Sequence, residues 1–116
     1  MNLQPPKLVQ EAVSLGVNST TTHIDGRGFS SGSFHFIWSG ANALDGQVQI
    51  QVSNDPTKTN WEDKDGAFLT LAGPAGSRII NVSSLSEAYA RIKYTKNGNT
   101  TGLINCYFVG KGGAVV

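Results

Sequence analysis

The sequence predicts an all-β domain, an eight-stranded antiparallel β-sandwich with jelly-roll topology, and an immunoglobulin-like Greek key as the alternative. Two segments alternate between core-facing apolar residues and an opposite face, the first of them strictly. Gln47-Val48-Gln49-Ile50-Gln51-Val52 sets three β-branched side chains against three glutamines, and Ser33-Phe34-His35-Phe36-Ile37-Trp38 places Phe34, Phe36 and Trp38 on one side. The composition agrees: a 116-residue chain with 14 glycines, rich in Ser, Thr and Asn, suits turns and solvated strand faces more than helix interiors. That length fits a single domain with one core.

Strands are expected at 8–15, 18–25, 32–39, 46–53, 67–72, 77–83, 88–96 and 102–110, each bounded by Gly, Pro, Asn, Asp or Ser. Eight short strands in about 100 residues imply two sheets packed face to face, and eight is the jelly-roll number. The predicted core comprises Phe34, Phe36, Trp38, Val48, Ile50, Val52, Ile92 and Phe108. Only Ser83–Ala88 carries a capping pattern, enough for one helical turn. The last two strands read as a hairpin around Asn97-Gly98, with a three-residue loop or a bulge at Gly102 that sets Ile92 beside Ile104 and Ala90 beside Cys106. In that register Tyr89 lies opposite Tyr107 and joins Leu103 and Val109 in an exposed apolar patch. The domain is expected over 8–110, preceded by an extended arm (1–7) containing Pro5-Pro6 and followed by a glycine-rich tail (111–116) ending in Val115-Val116. Either end could lie on a neighbouring chain.

Charge narrows the partners. Nine Lys+Arg against eight Asp+Glu leave +1, too balanced for a phosphate-binding stripe or an anionic membrane, so neither nucleic acid nor membrane is an expected partner. The start shows no basic-then-apolar leader, and the lone Cys106 sits in an apolar run, so folding in a reducing cytosol is expected.

Catalytic constellations are thin. His23 and His35 stand apart, and no zinc, P-loop, nucleophile-elbow or dinucleotide motif occurs, so the reading is of a non-enzyme without cofactor or metal. Asp55, Glu62, Asp63 and Asp65 form an acidic cluster that reads as a solvated turn rather than a cation loop. Three glycosylation-type triplets, at Asn18, Asn81 and Asn99, read as chance matches in so polar a chain. Trp61 is expected to cover one end of the sandwich; the other reading stacks it on a sugar ring.

The run Gly46–Asp55 ending in Ser-Asn-Asp, then Trp61, Tyr89-Ala90-Arg91-Ile92-Lys93-Tyr94-Thr95 and Gly102–Tyr107, resembles small structural proteins of tailed bacteriophages across residues 46–110. The resemblance implies a virion component of the capsid decoration or cement type, made in the host cytoplasm and carried on the capsid surface. It implies the major capsid protein as partner, together with self-association as a dimer or trimer. The expected contact residues are Leu3, Pro5, Pro6, Tyr89, Leu103, Tyr107, Val109, Val115 and Val116. The alternative is a tail, baseplate or fibre module that binds host carbohydrate or receptor through a loop containing Asp55 and Trp61.

Overall fold

The computed structural model describes residues 2–3, 7–20, 24–25, 31–42, 46–84 and 87–112. These form ten strand segments: β1 (Asn2–Leu3), β2 (Lys7–Ser14), β3 (Ser19–Thr20), β4 (Ile24–Asp25), β5 (Ser31–Ser39), β6 (Gln47–Ser53), β7 (Glu62–Thr70), β8 (Gly76–Val82), β9 (Tyr89–Thr95) and β10 (Leu103–Gly112).

Two antiparallel sheets divide them. In sheet A, β10 lies between β5 on one side and β2 and β1 on the other, and β8 pairs with the far side of β5. In sheet B, β6 lies between β7 and β9, and the short β3 and β4 both pair with β9. With β1 set aside and β3 and β4 counted as one interrupted strand, the chain-order sequences are 1-8-3-6 and 2-7-4-5. This is the order of a jelly roll. An immunoglobulin-like arrangement would keep the first two strands in one sheet, whereas here they separate.

The core lies where the inward faces meet. Phe34, Phe36 and Trp38 from β5 and Ile104, Cys106 and Phe108 from β10 face Val48, Ile50 and Val52 from β6 and Ala90, Ile92 and Tyr94 from β9. Every residue of the predicted core is buried. Phe34 and Phe108 are cross-strand partners with ring centroids 4.9 Å apart, within the range of favourable tilted pairs. Opposite Trp38 stands Gly76, where an added Cβ would fall 2.6 Å from the indole, so the glycine makes room for the ring. The Tyr94 hydroxyl donates to the Leu15 carbonyl (2.8 Å) and lies 3.3 Å from the buried Asn99 amide nitrogen, giving its polar end partners inside the core.

Three expectations need correction. The last two strands do not form a hairpin: β9 belongs to sheet B and β10 to sheet A, and residues 96–102 cross between them. Alternation demands only that Ala90, Ile92, Ile104 and Cys106 point inward, which strands in facing sheets satisfy as well as paired neighbours. Polar loop contacts hold the crossing, with Leu15 N bonded to Gly102 O, Asn42 Oδ1 accepting from Thr100 N, and Asn18 Oδ1 accepting from Lys96 N. The fifth strand begins at Glu62 rather than 67, because a register shift opposite Gln49–Gln51 lets a polar stretch through Gly66 (φ +72°) remain in the strand. Finally, Asn2–Leu3 and Lys111–Gly112 pair with each other, so part of the expected arm and tail completes sheet A of the same chain.

The Ile50 side chain is fully buried between the sheets. Ile50→Ala is expected to lower unfolding free energy by about 2–5 kcal/mol through lost transfer energy plus a cavity. A denaturant titration reads this as a reduced midpoint with unchanged slope.

Candidate functional site

The Ser-Asn-Asp end of β6 builds the first part of a surface site. Ser53 is buried; its hydroxyl donates to Asn60 O at 2.6 Å and accepts from Asp55 N at 2.9 Å. Asn54 Oδ1 accepts from Ala88 N, tying the turn to the approach to β9. The Asp55 carboxylate gathers the loop around itself, accepting from backbone and side-chain donors of Thr57, Thr59 and Asn60 at 2.7–3.1 Å. These bonds, first those from the Thr57 hydroxyl and amide, hold its pKa well below the usual carboxylate range. The wrapped loop puts Lys58 in a left-handed conformation (φ 58°), and the Lys58 carbonyl accepts from Trp61 Nε1 at 2.9 Å.

Trp61 is thereby laid against the outer face of sheet B. The Arg91 guanidinium stands 4.4 Å from the indole centroid, a cation–π contact worth about 1 kcal/mol. Arg91 Nε donates to Gln51 Oε1 at 2.9 Å, and Gln51 Nε2 donates to Asp63 Oδ1 at 2.9 Å. A polar chain thus crosses three strands, from Trp61 beside β9 through β6 to β7. Nearby, the Lys58 ammonium lies 4.7 Å over the Tyr89 ring. Lys64 Nζ pairs with Glu87 at 3.2 Å, a half-buried surface ion pair of small energetic value.

Beside this chain runs a second row. Gln49 has Phe68 as its partner on β7 and Lys93 as its partner on β9. Gln49 Nε2 reaches the carbonyls of Lys64 and Ala67 at 3.0 and 3.2 Å, which props the irregular part of β7. The Phe68 ring is 58% exposed, the largest exposure among the big apolar side chains described. With Gln47, Asp63 and Thr95, these residues line a shallow groove of about 210 Å³. The groove offers an exposed ring, an ammonium donor, a carboxylate acceptor and amides.

The expected contact residues fall differently. Tyr89 is on sheet B, while Leu103, Tyr107 and Val109 share the outer face of sheet A, so the four do not form one patch. Leu3 lies in β1, and Pro5, Pro6, Val115 and Val116 lie outside the described residues. Trp61 is absent from the core and does not close a sandwich end; Arg91 claims it instead, and that arginine is bonded to Gln51. Asp55 and Trp61 do belong to one loop. Phe68, Gln49 and Lys93 escape a sequence reading because the start of β7 sets which partners they meet, although the outward glutamines of β6 are visible in the alternation.

Among the described residues no three His, Cys, Asp or Glu side chains converge as a metal site. The acidic cluster disperses: Asp55 is consumed by its loop, one Asp63 oxygen (Oδ1) accepts from Gln51, and Glu62 and Asp65 are exposed. His35 bonds Ser77 across sheet A on an open face, His23 lies outside the described residues, and burial pushes the Cys106 thiol pKa up.

No family model matches the chain, and no curated protein matches it in sequence. Among solved structures it is similar to the SPBc2 prophage-derived protein YomS (TM-score 0.58, 10% identity, 95% of each chain covered). It is also similar to chitosan-binding module 1 from a chitosanase/glucanase of Paenibacillus sp. IK-5 (TM-score 0.51, 22% identity, 89% of this chain and 74% of that one). At these identities the likeness shows a shared β-sandwich fold.

Because its folded-state pKa is depressed, Asp55 contributes loop stability that is complete above the ordinary carboxylate pKa of about 3.9 and fades as pH falls from there through the lowered value. The Trp61 fluorescence, isolated by subtracting a Trp61→Phe control, is expected to remain native at pH 4. Asp55→Ala should shift it toward the solvent-exposed spectrum already at pH 7.

Proposed function

We propose that the chain is a non-catalytic bacteriophage structural module that binds a neutral glycan on the outer face of sheet B. The observation that carries this reading is the row Phe68–Gln49–Lys93 with its groove. An exposed aromatic ring suits the apolar face of a hexose, and amide, ammonium and carboxylate groups on either side match its hydroxyls as donors and acceptors. The strands that carry them are fixed by the core, so little ordering is needed on binding. Lys93 and Asp63 offset each other in the groove, which favours an uncharged sugar over a polycation such as chitosan, the ligand class named for one fold neighbour. The prophage origin of the other neighbour accords with the phage resemblance of residues 46–110. Asp55 and Trp61 serve this face by position, holding Arg91 and Gln51 in place beside the groove.

Capsid decoration is the second reading, in which the chain bridges major capsid subunits. It draws on the exposed Ile37, Ile79 and Leu103 of sheet A. The two readings use opposite surfaces and separate by mutation.

Titration calorimetry against neutral hexose oligosaccharides, with chitosan oligosaccharide in parallel, tests the glycan reading. Phe68→Ala and Lys93→Ala should each weaken binding about tenfold or more, roughly 1.4 kcal/mol per decade, while leaving the unfolding midpoint near that of the parent. Absence of binding to any neutral glycan, with full retention on purified heads that is lost on Leu103→Lys, would favour decoration.

A further inference from the structure

The groove beside Phe68 does not end at β9. A second open groove of about 300 Å³ lies between β9 and β3, and Lys93 and Thr95 line both. The ladder explains why the two run together. Phe68 pairs with Gln49, Gln49 with Lys93, and Lys93 with Thr20, so one outward row crosses β7, β6, β9 and β3 in turn. Cross-strand partners share a face, and Thr20 is exposed as Lys93 and Phe68 are. Alongside runs a second row, Thr70–Gln47–Thr95, in which Gln47 Nε2 donates to Thr70 Oγ1 at 3.4 Å. Past Thr95, Asn18 lines the second groove; its Oδ1 accepts from Lys96 N at 2.8 Å, which holds the amide and leaves Nδ2 as a donor.

The chemistry changes along this trough. Its β7 end has the exposed ring, whereas the β3 end offers the hydroxyls of Thr20 and Thr95, the Asn18 amide and the Lys93 ammonium. One ring is too little apolar area for the core of a protein–protein interface, which aromatic and aliphatic side chains fill. Hydroxyls and amides repeated along a rigid ladder suit a ligand that presents hydroxyls at regular intervals. Dimensions agree with this. Three strand spacings of about 4.8 Å carry the row about 14 Å, and one spacing is close to the advance of one hexose in an extended, equatorially linked chain.

We propose that the ligand is a linear neutral oligosaccharide of about three hexoses or more, laid across the strands from Phe68 to Thr20 with Lys93 between its two subsites. The inference rests on the glycan reading of the same face and adds to it a length, a direction and a second subsite made by Asn18, Thr20 and Thr95. The ring anchors one sugar by its apolar face, Gln49 and Lys93 meet the hydroxyls of the next, and Thr20 with Asn18 meets those of the third. Strand pairing already orders the carriers of these groups, so each added sugar gains contacts at little further ordering cost. A disaccharide fills the ring end and leaves β3 untouched.

Titration calorimetry of the full chain against β-1,4-linked glucose and galactose oligomers, from monosaccharide to hexasaccharide, tests it. In a series that binds, affinity should rise with each unit up to the trisaccharide and then level off. Thr20→Val removes a hydroxyl and keeps a β-branched side chain on the strand; it should weaken the trisaccharide about threefold to tenfold, the scale of one hydrogen bond. The disaccharide's affinity and the unfolding midpoint should stay at parent values, and Thr20→Ser, which restores the hydroxyl, should bind the trisaccharide as the parent does. Thr20→Ala takes the place of Thr20→Val if the latter does not fold. Equal affinity for disaccharide and trisaccharide, or a trisaccharide indifferent to the loss of the Thr20 hydroxyl, would end the site at Lys93 and overturn the extension, while binding lost on Phe68→Ala would still uphold the glycan reading. If no member of either series binds, both fall.

Discussion

A slip of β6 by one residue against β9 would turn Val48, Ile50 and Val52 to solvent and drive Gln47, Gln49 and Gln51 into the core. Burying three unpartnered amides while exposing three aliphatic side chains costs several kcal/mol, so the register is held firmly. Both outer surfaces follow from that constraint. Because β6 and β9 are pinned, Gln51 meets Arg91 and Gln49 meets Lys93; because β5 and β10 are pinned, Ile37 and Leu103 are left outside. The loop bound to Asp55 refines this frame by bringing an aromatic ring to an arginine whose place the ladder has already fixed.

Alternation made most of the fold legible in the sequence. The residues Phe34, Phe36, Trp38, Val48, Ile50 and Val52 announce which side of their strands is buried, and eight strands in about 100 residues point to a jelly roll. Which strands pair was not legible for β9 and β10, because an inward-facing pattern is common to neighbours in one sheet and to partners in two. Connection length misleads too: seven residues can turn a hairpin or cross a sandwich, and the polar ties from Asn18 and Asn42 that settle the matter are remote in sequence. Trp61 was misread for a similar reason. A tryptophan after a turn looks like a lid until Arg91, thirty positions away, is known to stand over it. The role of Asp55 was hidden because Thr57, Thr59 and Asn60 read as ordinary loop residues until the carboxylate collects them.

The two faces have different physical economies. Sheet B keeps its charged groups engaged with aromatic rings, amides and each other, so it can stay in water and still present directional hydrogen-bonding groups. Sheet A leaves the aliphatic side chains of Ile37, Ile79 and Leu103 in water.

The position of β10 has a kinetic consequence. The last of the described strands is an inner strand of sheet A, flanked by β2 and by β5. Until it is made, Phe34 and Phe36 lack their partners, and β2 and β5 have no common neighbour to join them. Sheet A therefore cannot close progressively behind the ribosome; its assembly waits for β10, and the chain must bring together segments about 90 residues apart in one late, entropically costly step. During that interval the unpaired edge of β5 is the segment most open to pairing with another nascent chain.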